Sequence, residues 1–255
     1  MSGVGDRMKL YESATRYVLT PRTWTLIRVD GRAFHTLLRG SDKPFDLDFM
    51  SQMDRVAKEL CEQVTTCRFA YVQSDEVSLL LAPFGSEQTE PWFGGIVQKM
   101  ASVSASIATM AFNREGRYGD AMFDSRVFTV PTSMEAENYF IWRQADATRN
   151  SLSMLARAYF SHKRLHGMNG SQMQEMLWSE HGVNWNDLDP HSKRGRICTR
   201  FTWTGDIEFV NKRTNEVEVA ENVTRHTWAV SEAPVFTAGA RAVLRNLVNG
   251  PDQEA

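Results

Sequence analysis

Three cysteines in 255 residues, Cys61, Cys67 and Cys198, are too few and too unevenly spaced for a disulfide framework or a zinc site. All three are expected to be reduced, with Cys61 on a core-facing helix. No run of 18 apolar residues occurs, so no membrane-spanning helix and no membrane partner are expected. Met1 to Arg7 lacks the apolar core of a secretory signal, which points to the cytoplasm. Neither sign of charge dominates: the formal net charge of −2 gives no global sign of nucleic-acid binding. There is also no internal repeat and no low-complexity linker. What remains is a chain that is 42% apolar and long enough for one substantial domain, or one domain with an appendage.

Two short acidic signatures each sit beside an apolar run. Trp24 to Asp30 is β-rich and stops at Gly31, reading as a strand that delivers Asp30 to its C-terminal end. From Asp46 to Val64, behind a capping aspartate, Phe49, Met53, Val56, Ala57 and Leu60 recur at helical spacing. The runs Phe69–Val72 and Val77–Leu81 flank Ser74-Asp75-Glu76 as strands flank a hairpin turn. A second helix is predicted after Pro91, with Phe93, Ile96, Val97, Met100, Val103, Ile107 and Met110 on a broad face. A β-like run from Phe123 to Val130 closes the set.

The order β-α-β-β-α-β is that of the split βαβ, or ferredoxin-like, arrangement, in which the first strand neighbours the third. The predicted class is therefore α+β: an antiparallel sheet with helices on one face over residues 1–135, completed by a helical and short-stranded region over 136–255. Such a topology brings Asp30 and Asp75 to one sheet edge, although they are far apart in sequence. This is the layout of a polymerase or cyclase palm, in which two acidic groups hold a pair of Mg²⁺ ions about 3.5–4 Å apart. Mg²⁺ takes few carboxylates and keeps waters and substrate phosphates, so two Asp and a backbone carbonyl suffice. Taken singly, Asp-Gly and Ser-Asp are also ordinary turn sequences.

Further along, Arg143, Arg149, Arg157, Lys163 and Arg164 lie on or just before a helix predicted from about Asn150 to His166, and Lys193-Arg194-Gly195-Arg196 follows at a loop. Such clusters grip phosphates, or merely solvate a helix face. His162 and His166 read as surface histidines near a helix end that Gly167 caps. A helix from Ser171 to Glu180 is predicted, with Ser171 and Gln174 as its capping box. Trp178 and Trp185 are candidates for stacking an RNA base, or for burial. Residues 201–237 alternate like short strands around a charged turn at Lys212–Asn215, and Asn249 to Ala255 reads as a fraying tail.

The segments Arg28–His35, Lys43–Asp46, Ala70–Glu76, Phe123–Arg126 and Trp142–Asp146 resemble, in order and spacing, the tRNA(His) guanylyltransferase family over roughly residues 5 to 200. Thr148 to Met154 departs from the eukaryotic His-Ile-Asn-Asn-Leu-Tyr-Asn pattern, keeping only Asn150 and Leu152. In this the chain is more similar to the Thg1-like proteins of bacteria, archaea and phages, which copy a template. The resemblance implies nucleotide addition to the 5′ end of tRNA in the 3′-5′ sense, after ATP activates a 5′-monophosphate, with GTP and other NTPs as substrates and a homotetramer as the assembly. It further implies Asp30, Gly31 and Asp75 as ligands of two Mg²⁺ ions, and Asp30, Asp75 and Glu76 as catalytic acids. Gly31, Arg32, Ala33, Phe34, His35, Lys43, Asp46 and Ser74 would bind the nucleotide, and Arg126, Asn150, Lys193 and Arg194 the RNA 5′ end or a second triphosphate. Two other classes stay open at this point: a nucleotide cyclase-like palm enzyme, and a non-catalytic RNA-binding protein.

Overall fold

A computed structural model describes residues 3–237 and 241–250. Its centre is a six-stranded sheet in the order β4-β1-β3-β2-β5-β6, with every neighbouring pair antiparallel. The strands are β1 (Trp24–Gly31), β2 (Cys67–Gln73), β3 (Glu76–Leu81), β4 (Phe123–Val130), β5 (Arg196–Val210) and β6 (Val217–Glu232). β1 neighbours β3, and β1 and β2 are both antiparallel to β3, so they run the same way, as the element order predicts.

The helices are α1 (Val4–Ser13), α2 (Phe34–Leu37), α3 (Leu47–Gln63), α4 (Val97–Asn113), α5 (Ser133–Tyr159), α6 (His162–Leu165), α7 (Gly170–His181), α8 (Pro190–Arg194) and α9 (Arg241–Asn249). Asp46 starts α3 as foreseen, its side chain accepting from the Phe49 N–H at 2.9 Å. The helix predicted after Pro91 opens with a 3-10 turn at Trp92–Gly95 before α4 begins.

Helices cover both faces of the sheet, not one. Ile27, Val29, Val72, Val77 and Leu79 pack with Met53, Val56, Met100 and Phe112 of α3 and α4. On the other face, Leu26, Phe69, Tyr71 and Leu80 pack with Ala136 and Phe140 of α5 and Leu244 and Val248 of α9. Two-sided cover explains why β2 and β3 are almost continuously apolar rather than alternating.

Other boundaries differ from those predicted. α5 starts at Ser133, capped by Thr132 accepting from the Glu135 N–H, and ends at Tyr159; only the single turn of α6 follows, before Gly167 at φ +78°. In its first half the charged or amide side chains of Glu137, Arg143 and Gln144 share the buried face with Ala136, Tyr139 and Phe140, which interrupts the apolar signal there. α7 is capped by Asn169 and boxed by Gln172, not by Ser171 and Gln174, because the Asn169 carboxamide accepts the Gln172 N–H at 3.0 Å. The short strands predicted over 201–237 are two long ones, β5 and β6, and the charged turn lies between them. β5 pairs with β2 only through Thr199, so beyond that point the β5-β6 ribbon has no third strand. Of the tail predicted to fray, residues 251–255 lie outside the described residues, whereas Asn249 ends α9.

Candidate active site

The antiparallel registers place Asp30 directly opposite Glu76 on β3 and opposite Asp124 on β4. One pleat deeper on the same face lie Arg28 and its partner Arg126. The turn after β2 then sets Asp75 beside them: Ser74 adopts φ +46°, and the Gly31 N–H donates to the Asp75 carbonyl at 3.0 Å. The two aspartates singled out in the sequence are therefore brought together at the edge of the sheet.

Their electrostatics reflect crowding. Burial, followed by repulsion from Asp30 and Glu76, pushes the Asp75 carboxyl up to about 6, against the pull of its own backbone N–H and Ser74. Asp30 is raised by burial and by Glu76 and Asp124, with Arg28 and Arg126 opposing. Among the described residues, no group of three or more His, Cys, Asp or Glu side chains forms a metal cage. The donor set is two carboxylates and neighbouring backbone, an open arrangement that suits a hard cation completed by waters and phosphates.

Glu76, expected as a catalytic acid beside the two aspartates, is engaged by an arginine. It is buried, and Arg143 of α5 grips it with Nε–Oε1 at 2.8 Å and Nη2–Oε2 at 2.7 Å, while Ser78 and Gln73 donate to the same Oε1. Arg143 in turn holds Asp146 at 3.1 Å and stacks on Trp142 at 4.5 Å, so it is not the exposed phosphate grip that the basic cluster suggests.

The turn after Asp30 has a clear local cause. A Cβ on Gly31 would overlap the Phe34 ring, and that ring is buried among Phe49, Phe112 and Phe123. Phe34 thus contributes an anchor, and Ala33 at φ +57° turns the chain into α2. The N–H groups of Ala33, Phe34 and His35 find no acceptor among the described residues, whereas Arg32 donates to the Met122 carbonyl at 2.8 Å. Successive unpaired N–H groups make an anion cradle. The Arg32 and His35 side chains are exposed.

Beside this turn a cleft runs between α3 and α5. One lobe is bounded by Asp46, Phe49, Ser74, Asn150 and Gly195, and a second by Lys43, Asp46, Ser74 and Arg157. Asp46 accepts from the Tyr118 hydroxyl at 2.9 Å with the same Oδ1 that caps α3, and the backbone of Asp42 donates to the same carboxylate. Although burial pushes the Asp46 carboxyl up, the Phe49 N–H, the Tyr118 hydroxyl and the Arg117 charge bring it below the usual range.

The expected 5′-end residues divide. Arg126 and Asn150 are exposed near the acidic edge and the cleft. Lys193 is buried, with Nζ donating to the Asn186 carbonyl at 2.6 Å and lying 5.6 Å from the Trp185 ring, so it holds structure. Trp185 is also held, its Nε1–H donating to Ser151 at 3.0 Å, while Trp178 is exposed. Arg194 keeps a buried Nε without a partner among the described residues. Gly195 lets this segment approach β2, since at φ +77° a Cβ would meet the Val72 carbonyl at 2.5 Å. Arg196 is committed to Asp54. His162 and His166 are exposed, with rings 6.4 Å apart.

Asp124 and Arg28 carry no role in the sequence reading, and Arg143 is read there as a phosphate-gripping candidate rather than as the partner of Glu76. Their signal is register and contact: only the pairing of β1 with β4, and the placement of α5, bring them to Asp30 and Glu76.

A carboxylate pair at a sheet edge, with an anion cradle and a cleft beside it, is the layout of an enzyme that acts on nucleoside triphosphates. The model of the tRNA(His) guanylyltransferase family matches residues 5–131. The chain is 38% identical to a bacterial tRNA(His) guanylyltransferase (Thg1)-like protein solved with ATP, at TM-score 0.83, covering 96% of this chain and 99% of that one. A bacterial Thg1-like structure with GTP gives 36% identity and TM-score 0.80, over 97% and 99%. The tRNA(His) guanylyltransferase of Debaryomyces hansenii is 29% identical over 225 residues, 78% of this chain and 82% of that one. The chain belongs to the tRNA(His) guanylyltransferase family, whose members are nucleotidyltransferases.

Proposed function

We propose that the protein adds nucleotides to the 5′ end of tRNA in the 3′-5′ sense, directed by the opposite acceptor strand. The observation that carries this reading is the convergence of Asp30 and Asp75, tied by the 3.0 Å bond from the Gly31 N–H to the Asp75 carbonyl. ATP and GTP in the two bacterial relatives support NTP substrates. The strand order supports a ferredoxin-like palm over residues 1–135, with 136–255 completing the same catalytic unit.

Two partly buried carboxylates with raised pKa values, joined through the Gly31–Asp75 backbone bond, fit a divalent ion. Asp30, Asp75 and the Gly31 carbonyl would hold two Mg²⁺, which when bound lower the pKa of an attacking hydroxyl and neutralise the triphosphate. The N–H groups of Ala33 to His35 hold the triphosphate of the incoming nucleotide, with Ser74 and Lys43 beside it. The cleft receives its base and sugar, with Asp46 in its wall. Arg126, Asn150 and Arg194 receive the RNA 5′ end or second triphosphate, and Glu76 with Arg143 positions the edge. A 5′-monophosphate is first joined to AMP with release of pyrophosphate; the 3′-hydroxyl of the next NTP then displaces AMP.

Family likeness is the ground for a cytoplasmic homotetramer. In line with an assembly, α1 buries none of its residues and exposes Val4, Met8 and Tyr11.

The test supplies tRNA lacking its first nucleotide, with Mg²⁺, ATP and all four NTPs. Restoration of the base that pairs with the acceptor strand, lost in Asp30→Ala and Asp75→Ala, is expected. A single G confined to tRNA(His) would refute template direction. NTP turnover without RNA would favour the cyclase reading, and a wild type that binds RNA yet adds nothing would favour a non-catalytic binder.

A further inference from the structure

The fold gathers three cysteines that the sequence leaves unrelated. Cys61 lies in the last turn of α3, Cys67 opens β2, and Cys198 sits in β5 opposite Ala70. Cys67 Sγ stands 3.8 Å from Cys61 Sγ, and the Cys61 thiol also meets Cys198. Cys61 and Cys198 are buried, whereas Cys67 is partly exposed.

We propose that Cys61 and Cys67 form a reversible oxidation site, taking a peroxide-class oxidant at Cys67 and closing to an intramolecular disulfide. Only Cys67 of the three reaches solvent, so it meets the oxidant, and Cys61 is the thiol within reach to resolve it. A disulfide needs the sulfurs at about 2.05 Å, so they must approach by under about 2 Å. The strand can yield here, because the β2-β3 ladder shifts register between Cys67 and Phe69. Cys198 has no such freedom: it is fully buried and in register with Ala70.

The chemistry balances. The Cys67 thiolate attacks one peroxide oxygen, the O–O bond breaks, and a sulfenic acid forms as hydroxide leaves and is protonated to water. Cys61 Sγ then attacks the Cys67 sulfur, the S–O bond breaks, and the Cys61 proton leaves with the departing hydroxide as a second water. Two thiols lose two electrons, and one peroxide becomes two waters. Burial holds the Cys61 thiol well above its usual range, in keeping with its role as the second thiol rather than the first.

The pair lies at the far end of β2 from Gln73 and the Ser74-Asp75 turn, roughly 20 Å away at about 3.3 Å per strand residue. Oxidation is therefore chemically separable from the acidic edge.

The test treats the full, reduced chain with hydrogen peroxide and maps thiols by intact and peptide mass. The wild type should lose two hydrogens, yield a Cys61–Cys67 cross-linked peptide, and be restored by dithiothreitol; Cys198→Ala should behave alike. Cys61→Ala should stop at added oxygen on Cys67. Oxygen accumulating on Cys67 in the wild type without a cross-link, a cross-link that includes Cys198, or no reaction with an excess that oxidises the chain unfolded in urea would overturn the proposal. The wild-type map stands alone if a variant fails to fold.

Discussion

Arg143 closes on Glu76 through two parallel hydrogen bonds, of 2.8 Å and 2.7 Å, and so withdraws that glutamate from the row of free acids beside Asp30. Asp30 and Asp75 keep no comparable grip from an arginine. The same sheet edge thus carries carboxylates of two kinds, and they should respond differently to substitution.

Glu76→Gln should keep nucleotide addition within about tenfold of wild type, whereas Asp30→Ala and Asp75→Ala should lose at least about a thousandfold. Arg143→Ala should cost about 3 kcal/mol of stability, because it leaves the buried Glu76 with only the more distant Arg28, at 4.0 Å, as a charged partner. Single-turnover rates and urea unfolding check both halves. Glu76→Gln as inactive as Asp75→Ala, in a folded protein, would restore Glu76 as a catalytic acid.

Asp75 gives a pH prediction with a definite sign. Its folded pKa of about 6 lies above the unfolded value of 3.8, so its contribution to stability is full below about pH 4 and is lost as pH rises through about 6. Asp75→Asn should therefore stabilise the metal-free protein at pH 7, by at most about 3 kcal/mol. Protons also compete with Mg²⁺ at this carboxylate, so the Mg²⁺ concentration for half-maximal activity should climb as pH falls below about 6. Thermal melts in EDTA and Mg²⁺ titrations at several pH values report each effect.

Gly31→Ala forces a methyl into the Phe34 ring. Relief requires the ring to leave its aromatic neighbours or the turn to move, at about 1–3 kcal/mol. Since the turn holds both Asp30 and the free N–H groups, activity should fall far more than stability. Denaturation midpoints alongside addition rates distinguish the two.

Lys193 and Arg194 should separate although adjacent. Lys193→Ala removes the bond to the Asn186 carbonyl and should lower stability with little change in RNA affinity. Arg194→Ala frees no structural partner of its Nε and should raise KM for the 5′ end severalfold. Initial-rate kinetics against tRNA concentration, with melting curves, decide this.

How far the site was legible follows from where its signals lie. Asp30 and Asp75 were readable because apolar runs frame them and element order alone makes β1 and β3 neighbours. Gly31 was readable as a bare position, but its reason, the Phe34 ring, is a tertiary contact. The Arg143–Glu76 pair was invisible: Trp142–Asp146 marked a motif, yet nothing local says that Arg143 turns inward. The first half of α5 escaped because Glu137, Arg143 and Gln144 break up its buried face between Ala136, Tyr139 and Phe140, and the second helical layer over the sheet escaped with it. Lys193 misled for the opposite reason, since a basic run gives no hint that one member is buried on Trp185.

The most direct test of the central claim counts metal at the acidic edge. Mn²⁺ binding, followed by electron paramagnetic resonance in the presence of a non-hydrolysable NTP, should give two ions per chain in the wild type. Both should weaken by at least about tenfold in Asp30→Asn and Asp75→Asn, while Glu76→Gln keeps two. Two tightly held ions in the Asp30 and Asp75 variants, or equal loss in Glu76→Gln, would contradict the assignment of these two aspartates as the metal-holding pair.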